Sequence, residues 1–428
     1  MDKIRLYLIY VFLFLVYTQG LWERVMGYSR MPQNILELAL LLLFLISMPI
    51  LVKRTPLSQL FIVSVLFSCF ASVINGSYFI ACFKYSRFFL YFILIYIVFW
   101  NGFLTVKQWL NLLKFIIFLV LIQGAGAVFN VFVLGTRVEG FVGLMSSIGG
   151  TTATIFPLFI ISIICIVFMF RKWKNPFYDF ILLAFLGGCS LVGYSSGKRA
   201  IYFLLPSFIM FATFVSLYKL NWKVEVVKRT RILVVFGILA FPVFIYGIKN
   251  SHGLNYSLNG RENSIEVIQK AIAYAEEYES AESQYGESTG RSNTTANIIN
   301  TSLSSVETFF FGFGFGAVKD EATQVRLNIM YGIVGFTRDI VSGGWLYMIL
   351  TILIFTVSMF KNESLNLKLT STIRWVLASL FVATHFTYSS DYTVHIKIGS
   401  ILAILLAFIN SPNHKNVLEA MVKRNFIE

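Results

Sequence analysis

The stretch Asn34 to Val52 reads NILELALLLLFLISMPILV, with Glu37 as its single charge. A helix needs roughly 20 residues to cross about 30 Å of hydrocarbon, and this stretch is long enough to do so. Working outward, comparable apolar runs place spans near 4–20, 34–52, 57–74, 88–103, 109–134, 148–170, 178–194, 200–218, 232–249, 341–360, 373–390 and 396–411. The expected fold class is therefore an all-α polytopic membrane protein of about twelve transmembrane helices. Composition points the same way. Of 428 residues, 57% are hydrophobic and only 13% charged, whereas a soluble domain carries about 25% charged residues. That much apolar surface needs a second apolar solvent. The first run, MDKIRLYLIYVFLFLVY, begins like a signal peptide but lacks a clear small-residue cleavage site, so it reads as a retained span.

Charge orients these spans. Lys3, Arg5, Lys53, Arg54, Lys107, Arg171, Lys172, Lys174, Lys219, Lys223, Lys228, Arg229 and Arg231 fall in alternate connections. Lys361, Lys368, Arg374, Lys415, Lys423 and Arg424 extend the same alternation. The positive-inside rule makes those connections cytoplasmic and puts both termini there. The net charge of +14 then reflects topology. Basic residues are not interleaved with stacking aromatics, which argues against nucleic acid. Cys69, Cys82, Cys165 and Cys189 sit mostly within apolar runs without metal-ligand spacing, as small packing residues do.

The domain plan is nine spans over 1–249, a large outer loop over 250–340, three spans over 341–411 and a cytoplasmic tail over 412–428. The loop lies between spans 9 and 10 and begins polar and acidic. Ile265, Ile268 and Ile272 recur at helical spacing, which predicts an amphipathic helix over 263–279. A second helix is expected over 292–310, with Ile298, Ile299, Leu303, Val306 and Phe310 as its apolar side. The run Phe311 to Gly316, FGFGFG, should end it.

Candidate chemistry gathers on the outer side. Lys84, Arg87, Arg137, Lys198, Arg199, Arg291 and Arg338 break the side preference of the other cations. A cation beside hydrocarbon either snorkels, pairs with an acid, or holds an anionic headgroup. Arginine suits phosphate because its guanidinium makes two parallel hydrogen bonds and stays charged. Asp339 follows Arg338 at the membrane edge; it reads as a general base for a sugar hydroxyl, or as a local cap or ion-pair partner. His385, Asp391 and His395 form a smaller polar group at the last outer turn, and a lone histidine within a span is more often a packing residue. Gly312, Gly314 and Gly316 offer either loop flexibility or backbone N–H groups for phosphate. No nucleotide-binding P-loop and no H-E-x-x-H occurs. The first outer loop, Leu21 to Arg30, holds Glu23 but no acidic pair for a divalent cation.

Several of these features together resemble the O-antigen polymerase and O-antigen ligase superfamily of bacterial envelopes. The span plan with one large late outer loop is similar. Ser196-Gly197-Lys198-Arg199 ahead of a span resembles that family's S-G-x-R segment. Gly290-Arg291, a helix, and then Gly312-Phe313-Gly314-Phe315-Gly316 resemble its G-R…G-x-G-x-G loop. Asp339 followed by Gly343-Gly344 resembles the polymerases' D…G-G pattern. The H-N pair usual in ligases is missing, and Arg338-Asp339 stands there instead. That departure favours polymerase over ligase.

The resemblance implies a glycosyltransferase acting on undecaprenyl-pyrophosphate-linked glycans at the outer face of the bacterial cytoplasmic (inner) membrane. It implies no metal and no nucleotide cofactor, since the bond from sugar to phosphate supplies the energy. Arg291 and Asp339 would be catalytic. Arg199, Lys198, Arg87, Arg137 and Arg338 would hold the pyrophosphate. Membrane lipid, a chain-length regulator and a flippase are the partners implied. The rivals are an O-antigen ligase-type transferase and, in another class, a lipid-linked oligosaccharide flippase; the long outer loop argues against the flippase.

Overall fold

A computed structural model of the chain describes residues 2–27, 31–47, 91–100 without 93, 104–134, 143–145, 291–329, 333–360, 396–411 and 413–423, together with single positions in 59–74, 177–249, 263–273 and 374–386. All regular structure among them is helical. Two helices, Lys3–Val25 and Val106–Asn130, are long and apolar enough to cross a membrane.

Helix α1 (Asp2–Val25) packs on α2 (Met31–Ser47), joined by a turn at Gly27. Both helices are apolar nearly all round, so a buried stripe and a lipid-like outer stripe coexist. Phe12, Leu13, Val16 and Tyr17 of α1 are buried, while Tyr7, Val11 and Phe14 are exposed. Polar side chains pin the ends of the pair. Arg5 is buried and its Nε donates to the Ile46 carbonyl at 3.1 Å, satisfying one of the last carbonyls of α2. At the opposite end, Gln19 Nε2 donates to Glu23 and Gln33, each at 2.8 Å, and Gln33 donates to Glu37 at 3.1 Å.

Helix α3 (Val106–Phe132) starts at a capping box. Thr105 N donates to Gln108 Oε1 at 2.8 Å, and Thr105 Oγ1 accepts from Gln108 N at 3.4 Å, so two otherwise unpaired amides are satisfied. The helix thus begins three residues ahead of the expected span. It packs on α1 and carries two buried amide side chains, Gln123 and Asn130. These hold the segment 143–145 between the helices. Gln123 Nε2 donates to the Tyr17 carbonyl at 2.7 Å, and its Oε1 accepts from Leu144 N at 2.8 Å. Asn130 Nδ2 donates to the Gly143 carbonyl at 2.8 Å and its Oδ1 accepts from Arg24 at 2.6 Å.

The expected loop helix over 292–310 is two helices. Helix α4 (Arg291–Leu303) ends at Ser304, and α5 (Val306–Phe311) restarts with Ser305 as its N-cap, accepting from Thr308 N at 3.1 Å. Ile298 is buried as expected, but Leu303 and Val306 are exposed; Thr294 and Ser302 share the buried side instead. Upstream, Asn263 caps the start of a helical stretch, its Oδ1 accepting from Glu266 N at 2.9 Å. There Val267 is buried and Ile265 exposed, a register shifted from the expected Ile265 stripe; Ile268 and Ile272 lie outside the described residues.

After a 3-10 turn at Ala317–Lys319 and the short α6 (Glu321–Arg326), the chain enters α7 (Gly335–Phe360). This helix begins before the span expected at 341–360, and so it includes Arg338 and Asp339. Gly344 adopts φ 77°, ψ −176° and kinks it. Helices α4 and α5 pack against it, around Ile298, Leu327, Ile329, Ile340 and Val341. Helix α8 (Ile396–Asn410) and the amphipathic α9 (His414–Lys423) follow. α9 lies against α3, where Asn413 Nδ2 donates to the Leu104 carbonyl at 2.9 Å and Trp109 packs on Phe408.

Candidate functional site

The kink in α7 and the glycine run of the loop are two halves of one structure. At Gly344 the helical hydrogen bonds lapse, which frees carbonyls one turn earlier. The Val341 carbonyl is taken by Phe313 N at 2.7 Å. Gly312 closes α5 at φ 67°, its N–H donating to the Thr308 carbonyl at 3.0 Å. At Gly312 a Cβ would stand 2.5 Å from both Gly344 N and the Ile340 carbonyl, and at Gly344 it would strike the Phe310 carbonyl. Only two glycines let these backbones meet.

Next, Phe315 N donates to Ser72 Oγ at 2.7 Å, both residues being buried. The loop is thereby tied to the third expected span, where Phe67 also stacks on Phe311 at 5.6 Å. The amides of Gly312, Phe313, Phe315 and Ala317 are all bonded within the protein. Those four amides are therefore not available to a phosphate. Aromatic contacts finish the clamp. Trp345 stacks on Phe309 at 6.1 Å and donates to Ser302 Oγ at 2.9 Å, and Phe315 meets Tyr347 edge-on at 6.0 Å.

This clamp fixes the half of α7 that carries Arg338 and Asp339. Asp339 is buried at 5% exposure, and its Oδ2 lies 3.3 Å from His385 Nε2. That is an ion-pair distance, longer than a charge-assisted hydrogen bond of about 2.7–2.9 Å. Among the described residues neither atom has a hydrogen-bonding partner of good geometry. Burial pushes the Asp339 carboxyl above the ordinary carboxylate range, against the opposing pull of His385 and Arg338. Arg338, also largely enclosed, is lowered by the same desolvation. The His385 ring is held on both sides: Phe381 stacks on it at 4.8 Å, and Phe386 meets it edge-on at 5.4 Å. Phe386 in turn stacks on Phe336, one turn ahead of Asp339. Tyr347, buried two turns beyond Asp339, lies within reach of its charge. A buried carboxyl, an imidazole and a guanidinium side by side can hold or transfer a proton and stabilise a developing negative charge.

Arg87, Arg137, Lys198 and Arg199 lie outside the described residues, as do Asp391 and His395. Arg291 opens α4, and only its backbone is described. Gly312, Gly314 and Gly316 all take positive φ. His385 joins Asp339 across 46 positions of sequence (385 − 339), a partnership that periodicity does not encode. Ser72, Gln123 and Asn130 were not singled out by sequence; an amide or hydroxyl inside an apolar run was the available signal. Among the described residues no group of three or more histidines, cysteines or acids could hold a metal ion.

A scan against protein-family models finds no match to this chain, and no curated protein matches it.

Proposed function

We propose that the chain is a polytopic bacterial inner-membrane glycosyltransferase that polymerises undecaprenyl-pyrophosphate-linked oligosaccharide units. It transfers the growing glycan onto an incoming lipid-linked unit at the outer face. The observation that carries this reading is the buried Asp339–His385 contact beside Arg338. A proton-handling pair and a cation meet where the large loop enters an apolar helix. Attack by an acceptor sugar hydroxyl on a lipid-linked donor needs both: a group for the hydroxyl proton and positive charge for the departing pyrophosphate.

Contacts between segments are consistent with the alternation of ends that the twelve-span plan requires. Arg5 bonds Ile46 and Trp100 bonds Asn410, pairing ends that the charge pattern makes cytoplasmic. Gln19 bonds Gln33, Arg24 bonds Asn130 and Phe315 bonds Ser72, pairing ends it makes outer. On this reading Arg291, Arg199, Lys198, Arg87, Arg137 and Arg338 hold the pyrophosphate, with Arg291 and Asp339 closest to the reaction.

The test is the glycan that accumulates when the gene is deleted. Single repeat units on the lipid carrier are expected. Full-length polymer left on the carrier would replace polymerase with a ligase-type transferase. Single units trapped in the cytoplasm would replace it with a flippase.

A further inference from the structure

We propose that His385 is the group that takes the proton from the acceptor hydroxyl, and that Asp339 acts through it as its orienting partner. This rests on the polymerase reading above and assigns its proton chemistry to a residue of a different helix. Three observations carry it.

First, Asp339 Oδ2 is enclosed and faces the His385 imidazole at 3.3 Å. An oxygen that already faces an imidazole is better placed to orient that ring than to receive a sugar hydroxyl. Second, the ring is aimed. Phe381 on one face and Phe386 at its edge restrict it, and Nε2 is the nitrogen turned to Asp339. A carboxylate facing Nε2 favours the tautomer with its proton there, which leaves Nδ1 with a lone pair to accept a proton. Third, Arg338 stands beside the carboxyl and interacts with its charge. The cationic imidazolium formed during transfer is stabilised by Asp339, and Arg338 keeps positive charge beside that pair.

The step balances. The acceptor O–H gives its proton to His385 Nδ1, its oxygen forms the new bond to the anomeric carbon, and the bond from that carbon to the pyrophosphate oxygen breaks. Undecaprenyl pyrophosphate leaves with the electron pair, and His385 returns the proton to solvent or to the product phosphate.

The experiment uses full-length purified protein in lipid nanodiscs, with a defined undecaprenyl-pyrophosphate-linked repeat unit and chain growth followed by gel. H385Q is expected to lower kcat by about 100-fold or more, the ordinary worth of a general base. KM for the lipid-linked unit should stay within about threefold, since binding energy common to ground and transition states is untouched. D339N alone should lower kcat, but D339N added to H385Q should lower it little further, because the two act as one unit. Turnover of H385Q at the wild-type rate would overturn the inference. So would losses that multiply in the double variant, or a loss confined to KM. Failure of the wild-type protein to extend units would instead count against the polymerase reading.

Discussion

Gly312 and Gly344 stand backbone to backbone: a Cβ on Gly312 would meet the Gly344 amide nitrogen, and one on Gly344 would strike the Phe310 carbonyl just ahead of Gly312. One ends the short loop helix and the other kinks α7, and both hold positive φ. The contact transmits position: it sets the half-helix bearing Arg338 and Asp339 against the loop, while the Phe313–Val341 hydrogen bond locks the angle. Two glycine motifs 32 positions apart (344 − 312) are thus one joint.

From that joint, Gly344→Ala and Gly312→Ala should each destabilise the protein by about 1–3 kcal/mol from the positive φ alone. The backbone collision adds to this. Thermal unfolding of detergent-purified protein checks it; an unchanged midpoint in both variants would refute the close approach.

Ser72→Ala removes the acceptor for the Phe315 amide while leaving the Phe67–Phe311 stack in place. A buried amide left unpaired costs about 1–3 kcal/mol. Hydrogen exchange at 312–317 should quicken in the variant, and exchange at the wild-type rate would argue that another group holds the loop.

Trp345→Phe separates two contributions. The ring stack on Phe309 is kept and the indole hydrogen bond to Ser302 is lost. A loss of about 0.5–1.5 kcal/mol is expected, the net worth of one hydrogen bond. A much larger loss would mean that ring shape, rather than the bond, sets the packing.

Gln123→Leu should release the segment around Leu144, because it removes partners of both Tyr17 O and Leu144 N. In a Leu144→Cys background, labelling by a membrane-impermeant maleimide from the outer side should rise several-fold. Labelling only from the cytoplasmic side would overturn the proposed orientation.

Arg199→Ala and Arg291→Ala should each abolish long glycan chains while the protein stays in the membrane. Normal chain-length ladders on a gel in both variants would remove these arginines from the mechanism.

Composition and periodicity by themselves determined that the chain is helical and apolar enough to seek a bilayer. Apolar runs have a length and a period that can be counted, and charge asymmetry has a side. Ile298 was legible as buried because α4 is regular up to Ser302. Val306 was not, because the two-serine break starts a new helix there and periodicity assumes one continuous helix. Arg338, Asp339 and the glycine run were legible as unusual residues for their positions. Their partners required the tertiary structure. Asp339 meets His385 and Gly312 meets Gly344 because separate helices converge after α7 kinks, and a one-dimensional pattern holds the chemistry of each residue but not the distance between two of them.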